Sequence, residues 1–400
     1  MKKNVVVIGG GYGGLRAIEF LAKREEIEIT LIDKNPYHYM QTEAYGYIAG
    51  RFDLHDVVVD LEDWCSGFEK KVHFVYDEVI SMDFDARMIQ TCNGAVAYDY
   101  LILAMGAKTN FFSFIDGLRE HSFGVKNLQR AHSFRVEFER IIYEKLQNQS
   151  NEQEINLAIG GAGLSGVEVA AEMAHIIQAY GKTIGLRAKN IKIYLIDASA
   201  TILPQMSAFL IQTTQKRLES LGVEILINTF IDRIDEEYIY FKNEQKLKYC
   251  FMIFTGGIRA SSLNDTIDVP KNKIAQLMPN KDLTIGSMQN VFAIGDCVEI
   301  RDNKGDILPP TAQTAERSAE YVAKTIIAKM DNRKYKNFDA SVLGVFIALG
   351  GRYCAGELFG IIKVNGYIAY LLKKAITQMY ALGLHLRINT GYKNRIKKPY

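Results

Sequence analysis

No apolar run in this 400-residue chain reaches the ~18 residues that a helix needs to cross a bilayer, which argues against an integral membrane bundle. Cysteine is scarce. The five cysteines (65, 92, 250, 297 and 354) lie far apart, with no CxxC or CxxxxC pair. Free thiols in a reducing cytoplasm are expected, and a redox disulfide is not. His38, His175 and His385 stand alone, without an HExxH or a Cys/His cluster, so no metal is expected. No signal peptide is expected either, because Met1-Lys2-Lys3 leads directly into a strand pattern. A large charge of one sign is also missing. The formal net charge is +2, which speaks against a nucleic-acid binder. That average hides a division. The last acidic residue is Glu357, and eight Lys or Arg follow it (363, 373, 374, 387, 393, 395, 397 and 398). The body therefore carries −6 and the tail +8.

What is present is ordinary globular composition, 48% hydrophobic and 24% charged, with length for two or three domains at ~150 residues each. Asn4–Ile8 (NVVVI) is a continuous apolar run, as a strand buried on both faces requires. A glycine cluster, a helical pattern and a second strand at Ile27–Ile32 complete a βαβ unit. A second copy begins at Ile155–Ile159, with a helix over Val167–Ile177 and a strand at Ile191–Ile196. Further strands are predicted at Tyr100–Ala104, Cys250–Phe254 and Val291–Ile294, and a long helix at Thr311–Met330. The polar stretch 144–154 suits a solvated loop or an inter-domain hinge.

Each copy carries GxGxxG between strand and helix: Gly9, Gly11 and Gly14, then Gly161, Gly163 and Gly166. The first glycine permits the tight turn, the second lets backbone approach a pyrophosphate, and the third allows helix to pack on strand. Asp33 and Asp197 end the following strands, where a carboxylate can accept hydrogen bonds from a ribose. Asp197 would repel a 2′-phosphate and favours NAD(H), although Arg187 and Lys189 lie nearby. Two dinucleotide sites in one chain suggest two dinucleotides that exchange electrons. A flavin and a nicotinamide form the natural pair.

Thr284 to Asp296 (TIGSMQNVFAIGD) resembles the second FAD fingerprint of two-dinucleotide-binding flavoproteins, which implies that Asp296 bonds the flavin ribityl chain. Leu103-Ala-Met-Gly106 and Phe254-Thr-Gly-Gly257 resemble that superfamily's two domain-crossing motifs and add Gly106 and Gly256 to the cofactor contacts. The resemblance implies an α/β fold of two Rossmann-like domains. A discontinuous FAD domain (1–112 and 270–330) is interrupted by an NAD(H) domain (113–269), and a C-terminal region (331–400) follows. Residues 39–46 (YMQTEAYG) lack the CxxxxC of the disulfide reductases. Pro309 to Arg317 (PPTAQTAER) resembles the Ala-Gln-x-Ala-x-Gln quinone motif of type II NADH:quinone oxidoreductases. Gln313 matches its first Gln, and Arg317 replaces the second. An Arg is donor-only and charged, where Gln both donates and accepts. Asn35–Tyr39 and Leu349–Arg352 are also similar to that family. Glu168, with Glu172 one helical turn later, matches a family glutamate near the nicotinamide–flavin contact. The resemblance thus implies FAD-dependent oxidation of NADH with two-electron, non-pumping reduction of a quinone at the cytoplasmic face of the membrane. Two alternatives stand beside it. One is a sulfide:quinone or other sulfur oxidoreductase using Cys354. The other is a redox-sensing FAD/NAD protein resembling apoptosis-inducing factor.

The tail from Ile361 to Ile388 reads as an amphipathic helix, with 368, 371, 372, 376, 379 and 382–383 on one face and Lys373, Lys374 and Gln378 off it. Tyr367, Tyr370 and Tyr380 suit a boundary between apolar and wet phases. A helix lying in an anionic membrane surface has this pattern. A helix docked on the body, or a homodimer contact, has it too.

Overall fold

A computed structural model describes residues 2–68, 71–147, 155–184, 191–302, 305–339 and 343–396. Most of the polar stretch 144–154, together with Arg187 and Lys189, lies outside the described residues. The chain opens with β1 (Lys3–Ile8), α1 (Tyr12–Leu21) and β2 (Ile27–Asp33), followed by α2 (Leu61–Ser66), β3 (Val72–Tyr76) and β4 (Tyr100–Leu103). Next come β5 (Phe123–Gly124), α3 (Leu128–Gln147), β6 (Ile155–Gly160), α4 (Leu164–Ile184), β7 (Ile191–Ile196), α5 (Ala208–Ser220), β8 (Val223–Leu226) and β9 (Phe251–Phe254). The chain closes with β10 (Thr284–Ile285), β11 (Met288–Ala293), α6 (Ala312–Met330), β12 (Gly344–Ala348), β13 (Cys354–Leu358), β14 (Ile362–Asn365) and α7 (Gly366–Ile396).

Two sheets dominate. One runs β10-β11-β4-β1-β2-β3 and takes strands from both ends of the sequence; the other runs β5-β9-β6-β7-β8 from the middle. Every neighbouring pair is parallel except β10/β11. Parallel strands are covered by helices on both faces, which is why β1 and β6 read as unbroken apolar runs. Val5, Val6, Val7 and Ile159 accordingly have no exposed surface. The register of the two βαβ units is equivalent: Lys3 to Ile8 faces Ile27 to Ile32, and Ile155 to Gly160 faces Ile191 to Ile196.

The C-terminal region differs from the sequence expectation. Ile362 and Val364 belong to a strand, because β12, β13 and β14 form an antiparallel sheet, and the helix begins only at Gly366. At about 1.5 Å per residue, its 31 residues extend about 46 Å. It bridges two cores: Ala369 is buried with the second sheet's core and Leu384 with the first.

Candidate functional site

The two glycine loops are built alike. Gly9 has φ +109° and its N–H bonds the Ile32 carbonyl at 2.9 Å; Gly161 has φ +102° and bonds the Ile196 carbonyl at 2.7 Å. The Gly10 N–H donates to Asp33 Oδ2 (2.6 Å), and the Ala162 N–H donates to Asp197 Oδ2 (2.6 Å). The second oxygen of each acid accepts from the residue two further on, Asn35 (2.8 Å) and Ser199 (2.7 Å). Each acid therefore also shapes its loop, a task the spacing alone does not reveal. Burial pushes the Asp33 carboxyl up, and the Gly10 and Asn35 bonds pull it back.

The glycines separate by what a side chain would meet. A Cβ on Gly14 would lie 1.9 Å from the Gly9 carbonyl, and one on Gly166 would lie 1.8 Å from that of Gly161. A Cβ on Gly11 or Gly163 would meet nothing within 4 Å. The third glycine is thus required by packing, while the second faces open space. That is the fit a passing pyrophosphate requires. The amino end of α1 has no side-chain cap, so its N–H groups remain available to an anion.

Both first glycines lie beneath a crossing segment. A Cβ on Gly9 would meet the Ala104 carbonyl at 2.3 Å, and one on Gly161 would meet the Gly256 nitrogen at 2.5 Å. The crossings then meet. Ala107–Thr109 and Ile258–Ala260 form an antiparallel ladder. The Ser261 N–H donates to the Gly106 carbonyl and the Asn110 N–H to that of Gly257, both at 3.1 Å. Gly106, beside Ser261, and Gly256, just before the pairing of Gly257 with Asn110, stand at opposite ends of this one ladder.

Asp296 lies in the turn after β11, with Gly295 at φ +69° against α6. Its Oδ2 is 2.8 Å from Lys126 Nζ, and both side chains are largely buried. Lys126 has no motif around it, and only the fold exposes the pairing. At the start of α6, Thr311 caps the helix and Gln313 Oε1 accepts from the Leu343 N–H at 2.8 Å. That bond fixes the amide and leaves its NH2 to donate. Arg317 is one turn on, half-buried.

The two acids of α4 are held by partners from the C-terminal region and from Arg51. Glu168 Oε1 accepts from the Ala348 N–H (2.9 Å) and Lys373 Nζ (3.0 Å). Glu172 is buried, bonded to Arg51 Nη1 (3.1 Å) and the Gly351 N–H (3.4 Å). Arg51 also donates to the Gly351 carbonyl and to the Tyr370 hydroxyl. Glu43, 6% exposed, accepts from Thr377 and Tyr45, and burial raises its carboxyl. These partners show that α7 turns its polar face inward. Tyr370, Lys373, Thr377, Tyr380 and Arg387 recur at helical spacing along the body, and a Cβ on Gly67 would strike the Arg387 carbonyl. Lys373 is consequently not a lipid-facing charge. Burial opposes its ammonium, but Glu168 and Glu43 outweigh that and raise its pKa. Tyr380 likewise packs inside rather than at a boundary. The outward face carries Ile368, Leu371, Leu372, Ile376, Met379, Leu382 and Leu386, each at least 39% exposed.

Residues 3–319 match the family described as pyridine nucleotide-disulphide oxidoreductase. A type II NADH:quinone oxidoreductase of Staphylococcus aureus (strain NCTC 8325 / PS 47) is 32% identical, the match covering 94% of each chain. The chain belongs to the type II NADH:quinone oxidoreductases. Two solved structures share the fold at lower identity. NDH2 from Plasmodium falciparum in complex with NADH has a TM-score of 0.85 at 20% identity, covering 99% of this chain and 98% of its own. The sulfide:quinone oxidoreductase from Aquifex aeolicus has a TM-score of 0.79 at 19% identity, covering 96% and 92%. Cys354 argues against sulfur chemistry in this type II enzyme. It is buried, burial pushes its thiol up to about 12, and no cysteine is paired. Among the described residues one candidate metal cluster occurs, Asp53, His55 and Asp56. It is exposed, and Asp53 is engaged by Arg135.

Proposed function

We propose that residues 1–112 and 270–330 of this NADH:quinone oxidoreductase hold FAD, that residues 113–269 hold NADH, and that residues 331–400 attach it to a membrane surface. The pairing of the two crossing segments carries this reading, since it joins two dinucleotide loops across one ladder. When bound, the flavin supplies two-electron acceptance from NADH and two-electron donation to the quinone.

The chain's own residues divide the remaining work. Gly9, Gly11 and Gly14 admit the FAD pyrophosphate to the end of α1, and Asp33 holds the loop and the ribose. Gly106 and Asp296 line the flavin, with Lys126 fixing Asp296. Gly161, Gly163, Gly166, Asp197 and Gly256 do the same for NADH. Gln313, its carbonyl occupied by Leu343, donates to a quinone carbonyl, and Arg317 adds a permanent positive charge beside it. Both are donors, so this site favours oxygen acceptors and the negative charge that grows on them during reduction. Reduction to quinol consumes one proton beyond the hydride, and Glu168 with Lys373 relays it. Glu172 positions Arg51 and the Gly351 turn.

No helix among the described residues is long and apolar enough to cross a membrane. The outward stripe of α7, with Lys363 and Lys374 exposed nearby, rests in the cytoplasmic leaflet surface, where each basic residue contributes about 1 kcal/mol. The assignment at α6 is tested by Gln313→Ala. Stopped-flow absorbance should show flavin reduction by NADH at the wild-type rate, with slowed quinone turnover. Equal loss of both half-reactions would remove Gln313 from the acceptor site.

A further inference from the structure

His38 has no part in the roles above, yet it is the only buried histidine among the described residues, at 1% exposure. It sits in a short strand, Tyr37–Tyr39, directly beneath the first glycine loop. Its Nδ1 is 2.9 Å from the Gly10 carbonyl and its Nε2 is 3.0 Å from the Tyr380 hydroxyl of α7. A carbonyl only accepts, so Nδ1 carries the hydrogen. In a neutral ring Nε2 is then a bare acceptor, and Tyr380 donates to it. Burial lowers the imidazole pKa to about 4, which keeps the ring neutral at physiological pH.

Gly10 is thus held from both sides, its N–H by Asp33 and its carbonyl by His38. The neighbouring loop residue Tyr12 is engaged as well. Its ring stacks on Tyr380 at 4.9 Å and 29°, meets His38 edge-on at 4.9 Å and 81°, and its hydroxyl pairs with Thr42 at 2.8 Å. One side chain of the C-terminal helix therefore reaches two residues of the Gly9–Gly14 loop, one through an imidazole and one by stacking. Among the described contacts of α7, this is the one that leads into a glycine loop.

We propose that Tyr380 and His38 are positioning residues that couple the seating of α7 to the grip of the Gly9–Gly14 loop on FAD. This rests on the assignment of that loop to FAD. Coupling of this kind is reciprocal: a seated helix tightens the flavin site, and bound FAD holds the helix down by the same factor. A single neutral hydrogen bond sets the scale at about fivefold.

The test uses the full chain. Tyr380→Phe keeps the ring stack and deletes only the donor, and His38→Phe deletes both bonds of the imidazole. Flavin is stripped and FAD is titrated back by fluorescence. Tryptic cleavage at Lys374 in α7 is timed with and without FAD. Wild type should be protected by FAD. Tyr380→Phe should bind FAD about fivefold more weakly and lose most of that protection. On the His38→Phe background Tyr380→Phe should add nothing further, a non-additivity that an ordinary packing defect would not produce. Affinity within twofold of wild type with unchanged protection overturns the coupling, as do additive effects in the double variant. If His38→Phe does not fold, the hydroxyl deletion decides alone. A wild-type protein that takes up no FAD overturns the cofactor reading, and the coupling with it.

Discussion

Two glycines three residues apart are under different constraints, and a single methyl group separates them. At Gly14 the methyl has no room, because the Gly9 carbonyl lies 1.9 Å from where it would be. Gly14→Ala should therefore destabilise the protein by about 1–3 kcal/mol in urea unfolding, with or without FAD. At Gly11 the methyl meets nothing, and the backbone (φ −82°, ψ −171°) is one that alanine adopts freely. Gly11→Ala should leave flavin-free stability within about 0.5 kcal/mol of wild type but reduce the FAD that co-purifies. Equal FAD content in wild type and Gly11→Ala would show that the dinucleotide does not pass this glycine. His38 supplies a second residue-scale prediction. Its folded pKa is about 4 against 6.5 for the free side chain, so as pH falls the unfolded chain takes up the proton first. Stability from this group is intact above pH 6.5 and declines as pH falls towards 4, by up to about 1.4 kcal/mol per unit. The groups packed around it, Tyr12 from α1 and Tyr380 from α7, are raised by burial and remain neutral there. Glu43, also raised by burial, acts in the opposite direction and gains from acid. The clean measurement is therefore a difference. His38→Gln should lose less stability than wild type between pH 7 and pH 5, and parallel pH profiles would contradict the neutral buried imidazole.

At the scale of the element, α7 shows what periodicity conveys and what it omits. The apolar stripe through 368, 371, 372, 376 and 379 was legible, because exposed and buried faces of a helix share one repeat. Which face turns inward was not. A polar face can bond to a protein as well as to water, and the partners Glu43, Arg51 and Glu168 are hundreds of residues away in sequence. Lys126 beside Asp296 escaped for the same reason. The glycine loops were read almost completely, because their constraint is local: a tight turn, a close approach and an acid at the next strand end. The pair Glu168–Lys373 makes α7's inward face testable. Each side chain keeps about 15% of its exposure, so removing one partner leaves a largely enclosed charge. Glu168→Gln should cost about 3 kcal/mol in unfolding experiments. The double variant Glu168→Gln/Lys373→Met should recover most of that loss. A double variant as unstable as the single one would mean that the pair's value lies elsewhere, in the Ala348 bond for example.

At the scale of the whole molecule, the parallel architecture followed from strands that are apolar on both faces, and the insertion of one sheet's strands inside the other's sequence was implied by the resemblance to two-dinucleotide-binding flavoproteins. The antiparallel sheet β12–β14 did not, since Ile362 and Val364 alternate in a way that short helical and strand patterns share. The consequence for membrane attachment is practical. Deleting α7 from Gly366 onward would uncover Glu43, His38 and the Arg51–Glu172 pair, together with the core positions that Ala369 and Leu384 fill. A soluble truncated protein would then report a damaged body as much as a lost anchor. Substituting the outward face avoids this. Leu371, Ile376, Met379 and Leu382 are 46%, 58%, 74% and 58% exposed, and all four project away from the seam. Exchanging them together for Gln leaves every inward contact in place and removes most of the apolar surface available to lipid. The variant should keep its FAD and its thermal midpoint, because exposed substitutions stay within about 0.5 kcal/mol each. It should no longer sediment with vesicles containing phosphatidylserine, whereas wild type should sediment and be released only partly by salt, as screening weakens the Lys363 and Lys374 contribution but not the apolar one. Undiminished sedimentation of the folded variant would place the membrane contact on another face of the molecule.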